Sequence, residues 1–221
     1  MSTVSRPDLC FAVSFLSRYL DKVTEKRWNA AKNLLRYLNG TSSLGILDRS
    51  DAPPVFEFYS DSDYAGEPEQ RKSLSGSVTC SGGSPVNWFS RKQTCTALSS
   101  TESELIAACE SAKGAVYLKK FLGELSIDII PEIRIDNLST IKLVKDNQFH
   151  RRSKHIQTRF YYIREQVEEG NLTVSFVPST AQLADLFTKP LNSVIFIRLR
   201  DQLMCEKPIS TAQSSAQGKP K

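Results

Sequence analysis

The chain has 221 residues, of which 40% are apolar, and a formal net charge of +5. That is enough for one medium domain with extensions and a real core. No run of about eighteen apolar residues occurs, which argues against a membrane-spanning helix, and the N-terminal segment, with Asp8 and Arg18 inside it, does not read as a secretory signal. The default expectation is a cytoplasmic chain with no membrane partner. Five cysteines, Cys10, Cys80, Cys95, Cys109 and Cys205, are odd in number and widely spaced. With no CxxC pair and no histidine at zinc-ligand spacing, they read as reduced thiols.

In chain order, Leu9, Ala12, Leu16 and Leu20 repeat at helical spacing, and Trp28, Ala31, Leu35 and Leu38 do so again before Gly40. This predicts a helical hairpin over residues 6–40. The stretch "TSSLGILDRSDAPP" reads as a linker or an edge strand. Between 55 and about 98, "VFEFYS", "LSGSVTCSG" and "PVNWFSRK" are separated by Gly, Ser and Pro clusters, as in an antiparallel meander. "SSTESE" announces a helix, capped by Ser100 or Thr101, with Leu105, Ala108, Ala112, Ala115, Leu118 and Leu122 as its buried stripe. A strand "EIRID" follows, then a short helix from about Ser139. A longer helix spans about Ser153 to Glu169, with Ile156, Phe160, Ile163 and Val167 inward. A strand "LTVSFVP" and a helix beginning near Thr180 complete the pattern of an α/β protein, a mixed sheet covered by helices. The last fifteen residues are polar and low in complexity, which predicts disorder.

Four acids stand at element ends in this reading: Asp61 closing the first sheet strand, Glu104 in the first turns of the long helix, Asp136 ending "EIRID", and Asp185 near the start of the helix after "SFVPST". Strand ends and helix starts converge on one edge of a mixed sheet, so the four can share a pocket. Clustered carboxylates raise one another's pKa, and a divalent metal removes that penalty. Hard oxygen donors of this kind suit magnesium, and two such ions can clamp an in-line phosphoryl displacement. Asp63 competes with Asp61, and Glu102 with Glu104; for Glu102 an early-helix acid favoured by the helix dipole is the simpler reading. Between Arg134 and Arg164 the chain carries eight Lys/Arg against two Asp, together with both histidines, His150 and His155. Such a run is either a solvated helix face or an electrostatic footprint for a phosphate backbone. Trp88 and Phe89 read as core and rim of the third strand.

"YSDSDYAG", "SLSG", "SSTESEL", "IRIDN", "SKHIQTRFYYIRE" and "VPSTAQLADLFTKPL", in this order and spacing, resemble the ribonuclease H domain of Ty1/copia-type retrotransposon Pol polyproteins. "SRPDLCFAVSFLSRYL" and "RWNAAKNLLRYLNGT" resemble the C-terminal end of the reverse transcriptase of the same polyproteins. The resemblance covers about residues 5–192 and implies a ribonuclease H-like fold: a five-stranded mixed sheet, three antiparallel strands then two parallel ones, flanked by helices and preceded by the hairpin. It divides the chain into a reverse transcriptase remnant (1–45), a linker (46–54), a ribonuclease H-like domain (55–192) and a C-terminal helix with a disordered tail (193–221).

By motif, the family's metal-binding acids fall on Asp61, Glu104, Asp136 and Asp185, with two magnesium ions, or manganese as a substitute, and no small-molecule cofactor. The implied reaction is endonucleolytic hydrolysis of the RNA strand of an RNA/DNA hybrid, leaving 5'-phosphate and 3'-hydroxyl ends. The alternative is a catalytically silent remnant that binds nucleic acid. No YxDD pair is present, so polymerase activity is not expected. Many ribonucleases H place a histidine in the loop before the last acid; here none lies between Pro178 and Asp185, and His155 reads as a phosphate contact rather than a catalytic group. Arg151, Arg152, Lys154 and Arg159 are then candidates to hold a backbone, and Ser73, Ser75, Gln93 and Asn137 to touch 2'-hydroxyls. The remainder of a reverse transcriptase polyprotein is a further expected partner, and a virus-like particle or the nucleus an expected alternative compartment by analogy with the family.

Overall fold

Proline at position 7 suits the first position of a helical turn, and Pro7–Leu9 forms a 3-10 turn that runs into helix α1 (Cys10–Ser17). The Thr24 side chain accepts a hydrogen bond from the Arg27 N–H and starts helix α2 (Glu25–Gly40). The computed structural model describes residues 1–48, 55–67, 71–145 and 154–206; of residues 154–157 it describes the backbone. The expected disordered tail from residue 207 and part of the expected linker, 49–54, lie outside the described residues.

The apolar stripe predicted to bury α2 does not do so. No residue of α2 is buried, and Trp28 and Leu35 are 59% and 65% exposed. A polar seam holds the helix instead. Arg6 and Asp8, both buried, form an ion pair at 2.7 Å, and the Tyr37 hydroxyl donates to the same Asp8 carboxylate at 2.7 Å. Arg6 also donates to the Thr41 hydroxyl and carbonyl, and Arg200 approaches Tyr37 from the C-terminal side. Strand β1 (Leu44–Gly45) follows.

The main sheet comprises β2 (Phe56–Asp63), β3 (Leu74–Ser81), β4 (Ser84–Lys92), β5 (Glu132–Ile135) and β6 (Thr173–Phe176), in the order β4-β3-β2-β5-β6. Neighbours β4, β3 and β2 are antiparallel, while β5 and β6 run parallel to β2. This is the five-stranded mixed arrangement that the ribonuclease H resemblance implies. Side chains alternate across β2, so Phe58 enters one core and Tyr59 the other.

On the Phe58 face lies α3 (Ser100–Glu124), capped by Ser99 rather than by Ser100 or Thr101. Ser99 accepts from the Glu102 N–H at 3.2 Å, and the Glu102 carboxylate reaches back to the Leu98 N–H at 3.0 Å. Leu105, Ala108, Ala112 and Ala115 of α3 are buried as expected, with Leu118 packed at the margin. Helices α4 (Leu138–Lys145) and α5 (Lys154–Glu168) complete this layer through Ile141, Val144, Phe160 and Ile163. On the Tyr59 face, Cys10 and Leu44 share a core with Val78, Trp88, Phe187 and Leu199, the last from α6 (Ser193–Leu203). The N-terminal segment therefore supplies part of the core on this face of the sheet. Strand β7 (Cys205–Glu206) pairs antiparallel with β1.

The helix expected from near Thr180 is two 3-10 turns, Ser179–Ala181 and Leu183–Phe187. Gln182 interrupts them with an extended ψ of 100°. Its buried amide donates to the Ser60 carbonyl at 3.0 Å and accepts from the Ala184 N–H at 3.2 Å, so the second turn is tied to the sheet. The turn lies against Gly76: a Cβ there would stand 2.6 Å from Thr188 Cγ2, 2.8 Å from Phe187 Cβ and 3.1 Å from the Ala184 carbonyl. All five cysteines are free, and burial pushes the Cys10 and Cys109 thiols up to about 11 and Cys80 to about 12. Among the described residues no helix is long and apolar enough to cross a membrane.

Because two of the three neighbours of a Gly76 Cβ belong to backbone or to a Cβ, they yield only if the whole turn moves. Gly76→Ala is expected to destabilise the fold by about 1–3 kcal/mol, read as a lower midpoint in urea or thermal unfolding.

Candidate active site

Parallel pairing places the first two acids. Tyr59 stands opposite Arg134 in the β2–β5 ladder, so two residues further on Asp61 and Asp136 emerge side by side on one face. Asp61 does not end its strand, as the sequence suggests, but lies inside it, opposite Gly76, with pairing continuing to Asp63. A central strand with a partner on each side keeps its ladder through polar residues. Asp185 arrives from the Leu183–Phe187 turn. One carboxylate oxygen from each of Asp61, Asp136 and Asp185 lies within 4.8 Å of the others. Asp61 and Asp185 are buried and Asp136 is half-buried, its Oδ2 accepting from the Ser179 hydroxyl at 2.8 Å.

Glu104, in the second turn of α3, lies beside this three-acid group, its Oε1 accepting from the Ser62 N–H at 3.3 Å. Its Oε2 is buried without a hydrogen-bond partner. Burial, then repulsion from Asp61 and Asp136, holds the Glu104 carboxyl well above the usual range. Burial and the Asp61 charge likewise raise Asp185, to about 6, although Lys189 pulls the other way. Lys189 Nζ lies 2.8 Å from Asp185 Oδ1 and 3.6 Å from Asp61 Oδ2. Burial works against its charge, but the two carboxylates outweigh it and lift the ammonium to about 12. Thr188 donates its hydroxyl to Asp61 Oδ2.

This donor set fits a divalent cation. Three converged carboxylates beside a fourth that carries an orphaned buried oxygen form an electrostatic deficit that a hard cation such as magnesium or manganese relieves. The two competing acids stand elsewhere. Asp63 is half-buried against Gly66, where a Cβ would fall 1.8 Å from its Oδ2, and it is outside the three-acid cluster. Glu102 serves the start of α3.

The other candidates divide. Ser73, Ser75 and Gln93 are buried rather than presented to a ligand. Ser73 Oγ accepts from the Ala65 N–H at 3.1 Å, and Gln93 Nε2 donates to Ser75 Oγ at 2.9 Å and to the Ser103 carbonyl at 3.0 Å. These polar groups brace β3, β4 and α3, which corrects the expectation of direct 2'-hydroxyl contact. Asn137 caps α4, accepting from the Thr140 N–H at 3.0 Å. Arg159 is half-buried, its guanidinium 3.2 Å from Cys95 Sγ. Lys154 and His155 lie in the first turn of α5, their side chains outside what the structure describes, and Arg151 and Arg152 lie outside the described residues. Gln182, Thr188 and Lys189 were missed, although all lie within "AQLADLFTKPL". The four-residue step from Asp185 to Lys189 is the contact spacing of a helical turn, and was the available signal.

No protein-family model matches the chain. It is 38% identical over 186 residues to the Retrovirus-related Pol polyprotein from transposon TNT 1-94 of Nicotiana tabacum, covering 84% of this chain and 14% of that protein. It is also 38% identical over 194 residues to the Retrovirus-related Pol polyprotein from transposon RE2 of Arabidopsis thaliana, covering 87% of this chain and 13% of that protein. Among solved structures, LC11-RNase H1, isolated from compost, aligns with a TM-score of 0.49 at 16% identity, over 62% of this chain and 94% of that one. The chain thus spans about one-seventh of the length of the curated relatives it matches. Its similarity to them runs through the segments that carry Asp61, Glu104, Asp136 and Asp185, and the chain belongs to the Ty1/copia-type retrotransposon Pol polyprotein family.

Proposed function

We propose that the chain is a metal-dependent endonuclease of the ribonuclease H type, hydrolysing the RNA strand of RNA/DNA hybrids. The observation that carries this reading is the convergence of Asp61, Asp136 and Asp185 beside the unpartnered oxygen of Glu104. Among the described residues, the protein answers these charges with one lysine. Asp61, Glu104, Asp136 and Asp185 would hold two divalent ions. When bound, such ions polarise a phosphodiester and make an attacking water acidic.

The chain's own groups set the stage for that chemistry. Thr188 fixes the rotamer of Asp61 through its hydroxyl, and Ser179 does the same for Asp136. The Ser62 backbone N–H orients Glu104. Arg159, with Arg151, Arg152, Lys154 and His155 near the start of α5, would supply the cationic face that holds a nucleic-acid backbone, a contact weakened by salt. Membership in the Pol family supports a role in removing template RNA during reverse transcription, with the remainder of the polyprotein as partner.

Cleavage of an end-labelled RNA/DNA hybrid tests the reading. Magnesium-dependent cutting of the RNA strand is expected, absent with chelator and abolished in Asp61→Asn and Asp136→Asn. Hybrid binding without cutting by the wild-type chain would leave a binding module in place of an enzyme.

The raised Asp185 carboxyl gives a second test. Its proton is held more tightly in the folded chain, so its contribution to stability is complete below about pH 4 and is lost as the pH rises through about 6. In chelator, thermal melts should show the wild-type chain losing stability relative to Asp185→Asn over that window, and saturating magnesium should reverse the loss.

A further inference from the structure

Lys189 occupies an unusual place. Its ammonium contacts Asp185 at 2.8 Å and comes within 3.6 Å of Asp61, two of the three acids whose oxygens converge. It is the only cation within ion-pairing distance of those three acids among the described residues. Glu104, at the other side, has no such partner, and one of its oxygens is left without any. The Lys189 side chain is 36% exposed, so it has a path to solvent, whereas the Asp61 and Asp185 side chains it touches are 3% and 11% exposed.

Position in the chain reinforces this. Lys189 follows Asp185 by four residues, and Pro190 follows it immediately, which prevents the backbone from continuing the turn. Thr188, just before it, is fully buried and bonded to Asp61. The backbone before Lys189 is therefore anchored while the lysine's long side chain reaches the rim: a tether for a charge.

We propose that Lys189 is a built-in stand-in for a divalent cation. In the metal-free chain it neutralises the Asp61–Asp185 side of the cluster. Metal entering that side must displace the ammonium, so the lysine lowers divalent affinity while it keeps the empty site folded. The displaced ammonium stays tethered at the rim, where the nearest anion would be the phosphate of a bound backbone. Metal loading and substrate binding are thereby coupled: a phosphate that receives the lysine favours its departure from the acids. The inference rests on the metal-binding reading above and concerns affinity, not turnover.

Calorimetric titration of the purified chain with manganese alone, without nucleic acid, tests it. Lys189→Gln is expected to bind manganese roughly tenfold more tightly than the wild-type chain, a change equivalent to about 1.4 kcal/mol. Lys189→Arg, which keeps the charge, should stay near the wild-type affinity. In chelator, Lys189→Gln should melt at a lower temperature than wild type, and manganese should close the gap, a pattern a simple packing defect does not give. Equal or weaker manganese binding by Lys189→Gln, with a wild-type chain that binds, would overturn the inference and leave the metal site standing. Failure of both chains to bind manganese would overturn the metal reading and the inference together. Binding by Lys189→Gln but not by wild type would show the lysine closing the site outright, which upholds the inference.

Discussion

At Gly76 the sheet has no side chain, and the turn bearing the last acid rests directly on the backbone there. Gly76 pairs with Asp61 across the β2–β3 ladder, so the missing Cβ sits beside the acid that all the others approach. The consequence is geometric. The Leu183–Phe187 turn is drawn close enough for Asp185 to reach Asp61, for Thr188 to bond it, and for Phe187 to fill the core below. A bulkier strand would hold the turn off and open the cluster. Gln182 serves the same end from the other side by tying the turn to Ser60.

The forces here oppose one another. Carboxylates gathered in a partly desolvated place destabilise the fold, and Glu104 and Asp185 register this as raised proton affinity. The fold resists through apolar cores on both faces of the sheet and through backbone pairing on both sides of β2. Small polar residues assist: Ser62 meets Ser103, Ser77 meets Ser111, and Gln93 bridges β3 to α3, so the strands beside the acids are braced by hydrogen bonds. This costly gathering of charge is surrounded by structure that does not yield.

How much of this was legible in sequence depends on the physics of each part. The sheet strands and α3 followed from apolar alternation and a three-four stripe, because those residues face cores. The order of strands and helices was enough to expect the acids at one edge, and three of them, Asp61, Asp136 and Asp185, have converged oxygens. The full length of β2 was not legible, since "SDSD" carries no apolar signal and its pairing is decided by two neighbouring strands. Ser73, Ser75 and Gln93 read as surface because small polar residues usually are; their inward bonds exist only once β3, β4 and α3 are assembled. The α2 stripe misled in the opposite direction. Its periodicity is real, but the groove between it and the rest is taken by Arg6, Asp8 and Tyr37, a charged and hydroxylic seam that no periodicity reports.

The short ribbon of β1 and β7 has a consequence in time. It joins Leu44 to Glu206 and Gly45 to Cys205, two stretches with the whole main sheet between them in the chain. During synthesis the earlier strand emerges long before its partner exists, so Leu44 and the core it belongs to wait with an open flank. The ribbon closes only after residues 205–206 have been made, whereas the main sheet has all of its strands once Phe176 is out. Leu44 therefore depends for its cover on residues made at least 150 positions later, Leu199 and Leu203 of the same core among them.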